Sequence, residues 1–192
     1  MVYPWLYDKL TQTVIIHRMF NDKLTGLPDD TIIILFEKTN NYYLHNLSKF
    51  NQLIYKKDLP PNVKRIYFGF NFNQPVNKDS FPSSITHLSF GNSFNQSVNK
   101  DLLPSSITHL SFSGIFNQSI DMLPANLTHL RIIGNFSQKI NKLPENLIFL
   151  ELPIIYNHLL NTLPCGLKTL VISKDYPITK IKLPFGCEII TK

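Results

Sequence analysis

Three histidines and two serines concentrate whatever chemistry this sequence could perform. His87, His109 and His129 each stand in a Thr-His-Leu triplet, and Ser89 and Ser111 follow the first two by two places. Clustered imidazoles suggest a zinc site, and imidazole beside hydroxyl suggests a Ser–His pair for acyl transfer. Both readings meet a geometric objection. Metal ligands converge on one point, whereas residues recurring at one position of a repeat run in parallel, and no carboxylate sits among the three histidines. A hydrolase further needs a group to orient its base and donors for an oxyanion, and neither is identifiable. The sequence therefore predicts no catalytic residue, no metal ligand and no cofactor. The same positions read better as a recognition surface: Arg65, Tyr67, His87, His109, His129, Arg131, Phe149 and Glu151. Arg, Tyr and Phe are types enriched at protein interfaces.

What must position those residues is a repeat. An apolar residue followed by proline recurs at Pro28, Pro60, Pro82, Pro104, Pro124, Pro144, Pro164 and Pro184, in steps of 32, 22, 22, 20, 20, 20 and 20 residues. Self-similarity at such a period is the signature of a solenoid. Six places after each proline stands Ile66, Leu88, Leu110, Leu130, Leu150 or Leu170, and two further on stands Phe68, Phe90, Phe112, Ile132, Leu152 or Ile172. This alternation defines a strand with one buried face. An aromatic column follows at Phe72, Phe94, Phe116, Phe136, Tyr156 and Tyr176, then an aliphatic one at Val76, Val98, Ile120, Ile140 and Leu160. One strand per 20–22 residues, with a compact return, is leucine-rich-repeat geometry. The expected fold is a leucine-rich-repeat-like solenoid of about nine coils, with a parallel β-sheet on the concave side and mostly irregular return segments. Stacking coils turns equivalent positions into ladders about 4.8 Å apart. One outward ladder is then Arg65, His87, His109, His129, Phe149, Thr169, and the next is Tyr67, Ser89, Ser111, Arg131, Glu151, Val171. Nine strands are predicted, at about 14–16, 31–36, 63–68, 85–90, 107–112, 127–132, 147–152, 167–172 and 187–190.

The unit Leu-Pro-Ser-Ser-Ile-Thr-His-Leu-Ser-Phe, followed by Phe-Asn-Gln at 72–74, 94–96 and 116–118, resembles the FNIP repeat, a leucine-rich-repeat relative of social amoebae and of giant viruses that infect amoebae. The likeness extends from Phe50 to Lys192, drifting to Phe136-Ser137-Gln138 and Tyr156-Asn157-His158. It implies protein–protein interaction, sometimes downstream of an F-box that docks a ubiquitin ligase, and implies no catalysis. Leu27–Ile54 is somewhat similar to the opening of an F-box, degenerate and too short for a whole one. The asparagine column (Asn51, Asn73, Asn95, Asn117, Asn157) is expected to satisfy turn backbone on the return path.

The remaining features bound the function. A repeat array is one continuous body, so residues 1–192 are expected to form a single domain. Within it, residues 1–13 act as an N-terminal cap, 38–49 as an insertion loop available for contacts, and 185–192 as a closing coil. The net charge of +6 is spread over turns rather than striped, which argues against nucleic acid as partner. The chain lacks an apolar run long enough for a membrane span and a secretory leader, so the expectation is an intracellular monomer that does not engage membranes. Cys165 and Cys187 are expected as buried or half-buried free thiols. The function expected is a non-enzymatic module holding a protein partner on the concave face. The alternative is a structural, self-assembling component such as a piece of a viral particle.

Overall fold

Each coil starts at a turn set by its proline. The Pro carbonyl accepts the N–H three residues on, from Thr31→Pro28 through Ile85→Pro82 to Cys187→Pro184, at 3.0–3.2 Å. Fixed φ at proline favours this turn, and the apolar residue that closes it feeds directly into a strand. The computed structural model describes residues 5–36 and 48–192. Within them the strands are β1 (Trp5–Asp8), β2 (Thr13–Ile16), β3 (Ile33–Phe36), β4 (Arg65–Tyr67), β5 (His87–Ser89), β6 (His109–Phe112), β7 (His129–Ile132), β8 (Phe149–Glu151), β9 (Thr169–Ile172) and β10 (Glu188–Thr191). They form one sheet in sequence order. Strands β2 to β10 are nine parallel neighbours joined by eight turns of the solenoid. The return path holds two single-turn 3₁₀ segments, Lys56–Asp58 and Ile178–Lys180, and is otherwise irregular among the described residues.

Three points differ from expectation. Most strands start about two residues later than the apolar pattern suggests, because the proline turn consumes Ile85, Ile107 and their equivalents before pairing begins. Within the stretch expected as a cap, Trp5–Asp8 form a strand. β1 pairs antiparallel with β2, Trp5 opposite Ile16 and Asp8 opposite Thr13. Its alternation puts Trp5 and Tyr7 against the core and Leu6 and Asp8 outside. The hairpin turn is held by Asp8, whose carboxylate accepts from the Leu10 N–H at 2.9 Å and the Thr11 hydroxyl at 2.7 Å. Cys165 is exposed, since the position after the proline is the outer corner of the turn, while Cys187 is half-buried as expected. In the long unit, Thr31 to Phe36 continue from turn to strand. The proposed insertion falls outside the described residues except for Ser48, which is buried, and Lys49, whose N–H reaches the Arg18 carbonyl at 2.7 Å.

The core is two aromatic columns side by side. Phe50, Phe72, Phe94, Phe116, Phe136, Tyr156 and Tyr176 stack from coil to coil at 6.0–6.4 Å. Phe36, Phe68, Phe90 and Phe112 form the second column at 5.3–5.5 Å. Within a coil the columns touch, as in Phe90–Phe94 at 3.9 Å. Ring separations in this range add about 0.5–1.5 kcal/mol per pair beyond area burial.

The asparagines tie coils together rather than closing their own turns. Asn51 Oδ1 accepts the N–H of Asn73, Asn73 that of Asn95, Asn95 that of Asn117, and Asn117 that of Ser137, all at 2.8–2.9 Å. The next residue adds a second link: Gln74 Nε2 donates to the Asn51 carbonyl at 3.0 Å and Gln96 to that of Asn73 at 3.1 Å. Phe-Asn-Gln is thus one buried ring and two polar clasps, and each sits on the coil before it.

Candidate partner-binding face

Parallel pairing sets the outward ladders in the register that the repeat spacing predicts. Arg65, His87, His109, His129, Phe149 and Thr169 are consecutive partners, as are Tyr67, Ser89, Ser111, Arg131, Glu151 and Val171. Their even-numbered neighbours Ile66, Leu88, Leu110 and Leu130 are buried beneath. The ladder from Tyr67 to Glu151 lines a depression of about 380 Å³, floored at its centre by Ser89 and Ser111, whose small side chains leave the hollow open.

The three imidazoles stack face to face. Ring centroids lie 4.0 Å apart for His87–His109 and 4.2 Å for His109–His129, with planes within 14°. Phe149 extends the row at 5.7 Å from His129. Each Nδ1 lies 2.8–2.9 Å from the hydroxyl of the preceding threonine: Thr86, Thr108 or Thr128. Burial holds His87 at about 4, aided by repulsion from His109, Arg65 and His129. The same burial lowers His109, with His129 and Arg65 contributing, and lowers His129. Mutual repulsion, the cause the spacing suggests, is therefore second to desolvation.

Glu151 differs from its expected role. Rather than an available contact, it is a buried carboxylate held by Arg131 Nε and Lys192 Nζ, each at 2.6 Å. Burial alone would raise its pKa, but these two cations outweigh it and hold the group below the usual carboxylate range. Lys192 is the site residue that sequence reasoning missed, because no repeat relation links it to β8. Arg65 and Arg131 are exposed, and Tyr67 and Phe149 are half-buried with surface left for contact. The Thr-His pairing had a visible signal in the recurrent Thr-His-Leu triplet.

As chemistry, this face can donate hydrogen bonds, stack and attract anions. The imidazoles lie parallel instead of converging, and among the described residues there is no group of three His, Cys, Asp or Glu placed to hold a metal ion. Among the described residues no helix is long and apolar enough to cross a membrane.

Comparison with known proteins agrees with the coil geometry. The family described as FNIP Repeat matches at residues 50–93, 72–115 and 94–135, windows that advance by one coil each. Among solved structures the chain is similar to CroV588, a giant-virus protein described as a novel circular LRR protein, at 28% identity and a TM-score of 0.58. The alignment covers 91% of this chain and 35% of that one, so this chain spans about a third of its length. No curated protein matches the chain.

Proposed function

The chain is an FNIP repeat-containing protein with a leucine-rich-repeat-like fold, and from that premise we propose that it is a non-enzymatic module that holds a protein partner on the outer face of its sheet. The contact is centred on Arg65, Tyr67, His87, His109, His129, Arg131 and Phe149. Glu151, the next residue on the same ladder, fixes the Arg131 guanidinium. The observation that carries this reading is the hollow over Ser89 and Ser111, walled by the imidazole row, Tyr67 and Arg131. The core columns and the asparagine clasps need none of these side chains. Exposed aromatic and arginine groups around a concavity are what interface hot spots are made of.

The test is capture from an amoebal lysate by the wild-type chain and by an Arg65→Ala/Tyr67→Ala/Phe149→Ala variant. Lys139→Ala, on the exposed return side, serves as control. A protein retained by wild type and control but lost by the triple variant supports the reading. Equal retention by all three overturns it.

A second reading, self-assembly, is favoured by exposed apolar side chains on the last coils: Ile154, Ile155, Ile178 and Phe185, the last fully exposed. Similarity to a circular solenoid of which this chain matches 35% points the same way. Size-exclusion chromatography of the pure chain across a concentration series separates the two readings. A concentration-dependent oligomer abolished by Phe185→Ser supports assembly.

A further inference from the structure

The hydrogen-bonding state of the imidazole row follows from counting protons. The carbonyl of Lys64 already accepts two N–H groups, from Thr86 at 2.9 Å and His87 at 3.0 Å. Those of Thr86 and Thr108 are filled in the same way by the next two coils. Each threonine hydroxyl sits 3.0–3.3 Å from one of these saturated carbonyls but only 2.8–2.9 Å from its own histidine Nδ1. The hydroxyl proton therefore goes to Nδ1, and the ring proton is left on Nε2. All three imidazoles are then neutral donors arrayed along the face.

Charge on the face points the same way. Between β4 and β9 the two ladders carry Arg65 and Arg131 and a single carboxylate, Glu151, which is already neutralised by Arg131 and Lys192. Tyr67, Ser89 and Ser111 add hydroxyls that can donate. The whole chain carries +6. A surface of donors and uncompensated positive charge lacks one complement, a row of acceptors with negative charge.

We propose that this face takes an acidic segment of a partner protein, its carboxylates lying along the imidazole row between Arg65 and Arg131. The inference rests on the interaction-module reading above and specifies the partner's chemistry. In an extended segment, alternate residues on one side stand about 6.8 Å apart. Two carboxylates can therefore engage the ends of the row while Phe149 packs against the apolar stem of a third side chain.

The arrangement also makes binding proton-linked. A carboxylate beside an imidazole favours the charged ring, countering the desolvation that keeps it neutral in the free protein. The proton enters at Nδ1. The threonine hydroxyl then rotates to accept from Nδ1–H, its own proton turning away from the ring. The groups facing the row are Arg65 on β4, Tyr67 beside it, Arg131 on β7, Glu151 on β8 and Lys192 beyond β10. Of these only Glu151 favours imidazolium, and its charge is already shared between two cations. Proton uptake must therefore be driven by the incoming carboxylates, so affinity rises as pH falls from 7.5 towards 5.5.

The experiment uses the full chain and a fluorescein-labelled peptide of alternating Glu and Ala, ten residues long. The corresponding Gln–Ala peptide and a ten-nucleotide oligothymidylate serve as comparisons. Anisotropy is read at low salt, at pH 7.5 and 5.5. The expected result is binding of the Glu peptide and not the Gln peptide, weakened about tenfold by Arg65→Gln, and tightened about tenfold at the lower pH. A His87→Gln/His109→Gln/His129→Gln variant, whose amides cannot charge, loses the pH response: the ratio of its affinities at pH 5.5 and 7.5 falls to about one, whatever its affinity at pH 7.5. Equal binding of the Gln peptide, or tighter binding of the oligonucleotide through the same Arg65, overturns the inference. So does a Glu-peptide affinity untouched by Arg65→Gln. If the lysate capture depends on Arg65, Tyr67 and Phe149 while the Glu peptide fails, only the acidic-partner inference falls. If the triple variant captures normally, both readings fall.

Discussion

A single glycine shows how closely the coils approach. A Cβ on Gly91 would stand 2.0 Å from the Gly69 carbonyl oxygen, and one on Gly114 or Gly134 would stand 2.2 Å from the backbone oxygen of the coil before it. Backbone, unlike a side-chain tip, cannot yield without breaking the stack. Gly91→Ala is therefore expected to cost about 2 kcal/mol or more, in the range of severe overpacking. Gly166→Ala, whose Cβ meets nothing nearer than 3.8 Å, should be close to neutral. Urea denaturation of both variants checks the contrast. The asparagine clasps give a second measurement. Asn95→Ala removes the acceptor for the Asn117 N–H and the Gln118 amide, both part-buried, and should cost about 1–3 kcal/mol. The histidines give a third. Their folded pKa values lie below the unfolded value, so between about pH 6.5 and 4 the unfolded chain takes up protons that the folded chain refuses. Stability is expected to fall as pH drops through that window, and to fall less in the triple His→Gln variant, as thermal melts at stepped pH would record.

At the scale of the element, β1 is the informative case. A parallel strand at the open start of the stack would leave its outer N–H and C=O groups unpaired and the first aromatic layer uncovered. The hairpin pairs the outer side of β2, moving the edge to a short strand, and covers the first layer with Trp5 and Tyr7 on its inner side. Among the described residues β1 pairs with β2 alone, and edges open before centres. Because Trp5 is the single tryptophan of the chain, its emission reports this strand specifically. Its transition is expected at lower denaturant than the loss of far-ultraviolet signal. Coincident transitions would mean that β1 is as firmly held as the middle of the sheet.

The whole molecule is a stack in which each described strand pairs only with its sequence neighbours. Stability in such an array is close to a sum over coils and the contacts between adjacent ones. Deleting Ser105–Pro124, one 20-residue period, keeps the turn, strand and clasp in phase and is expected to leave a folded, shorter solenoid. Its denaturant m-value should fall roughly in proportion to the surface removed. Deleting ten residues from the same point, half a period, would carry the aromatic column to the outside and should unfold the chain. If both deletions behaved alike, nearest-neighbour stacking would not describe this protein.

The sequence by itself determined the coil, the columns that fill the core, the register of the sheet and which side chains share the outer ladders. It could do so because a repeat indexes equivalent positions. Once Leu88 and Leu110 are seen to correspond, so are His87 and His109, whatever the intervening turn does. The tertiary structure alone decided what happens between coils. It placed Asn51 Oδ1 against the Asn73 N–H and brought Gly91 onto the Gly69 carbonyl. It set three threonine hydroxyls between an imidazole and a saturated carbonyl, and it joined Glu151 to Lys192 across 41 residues. Those outcomes depend on inter-coil distance and on which atoms already have partners. Periodicity carries no information about either, since it orders residues along columns without fixing how closely the columns meet.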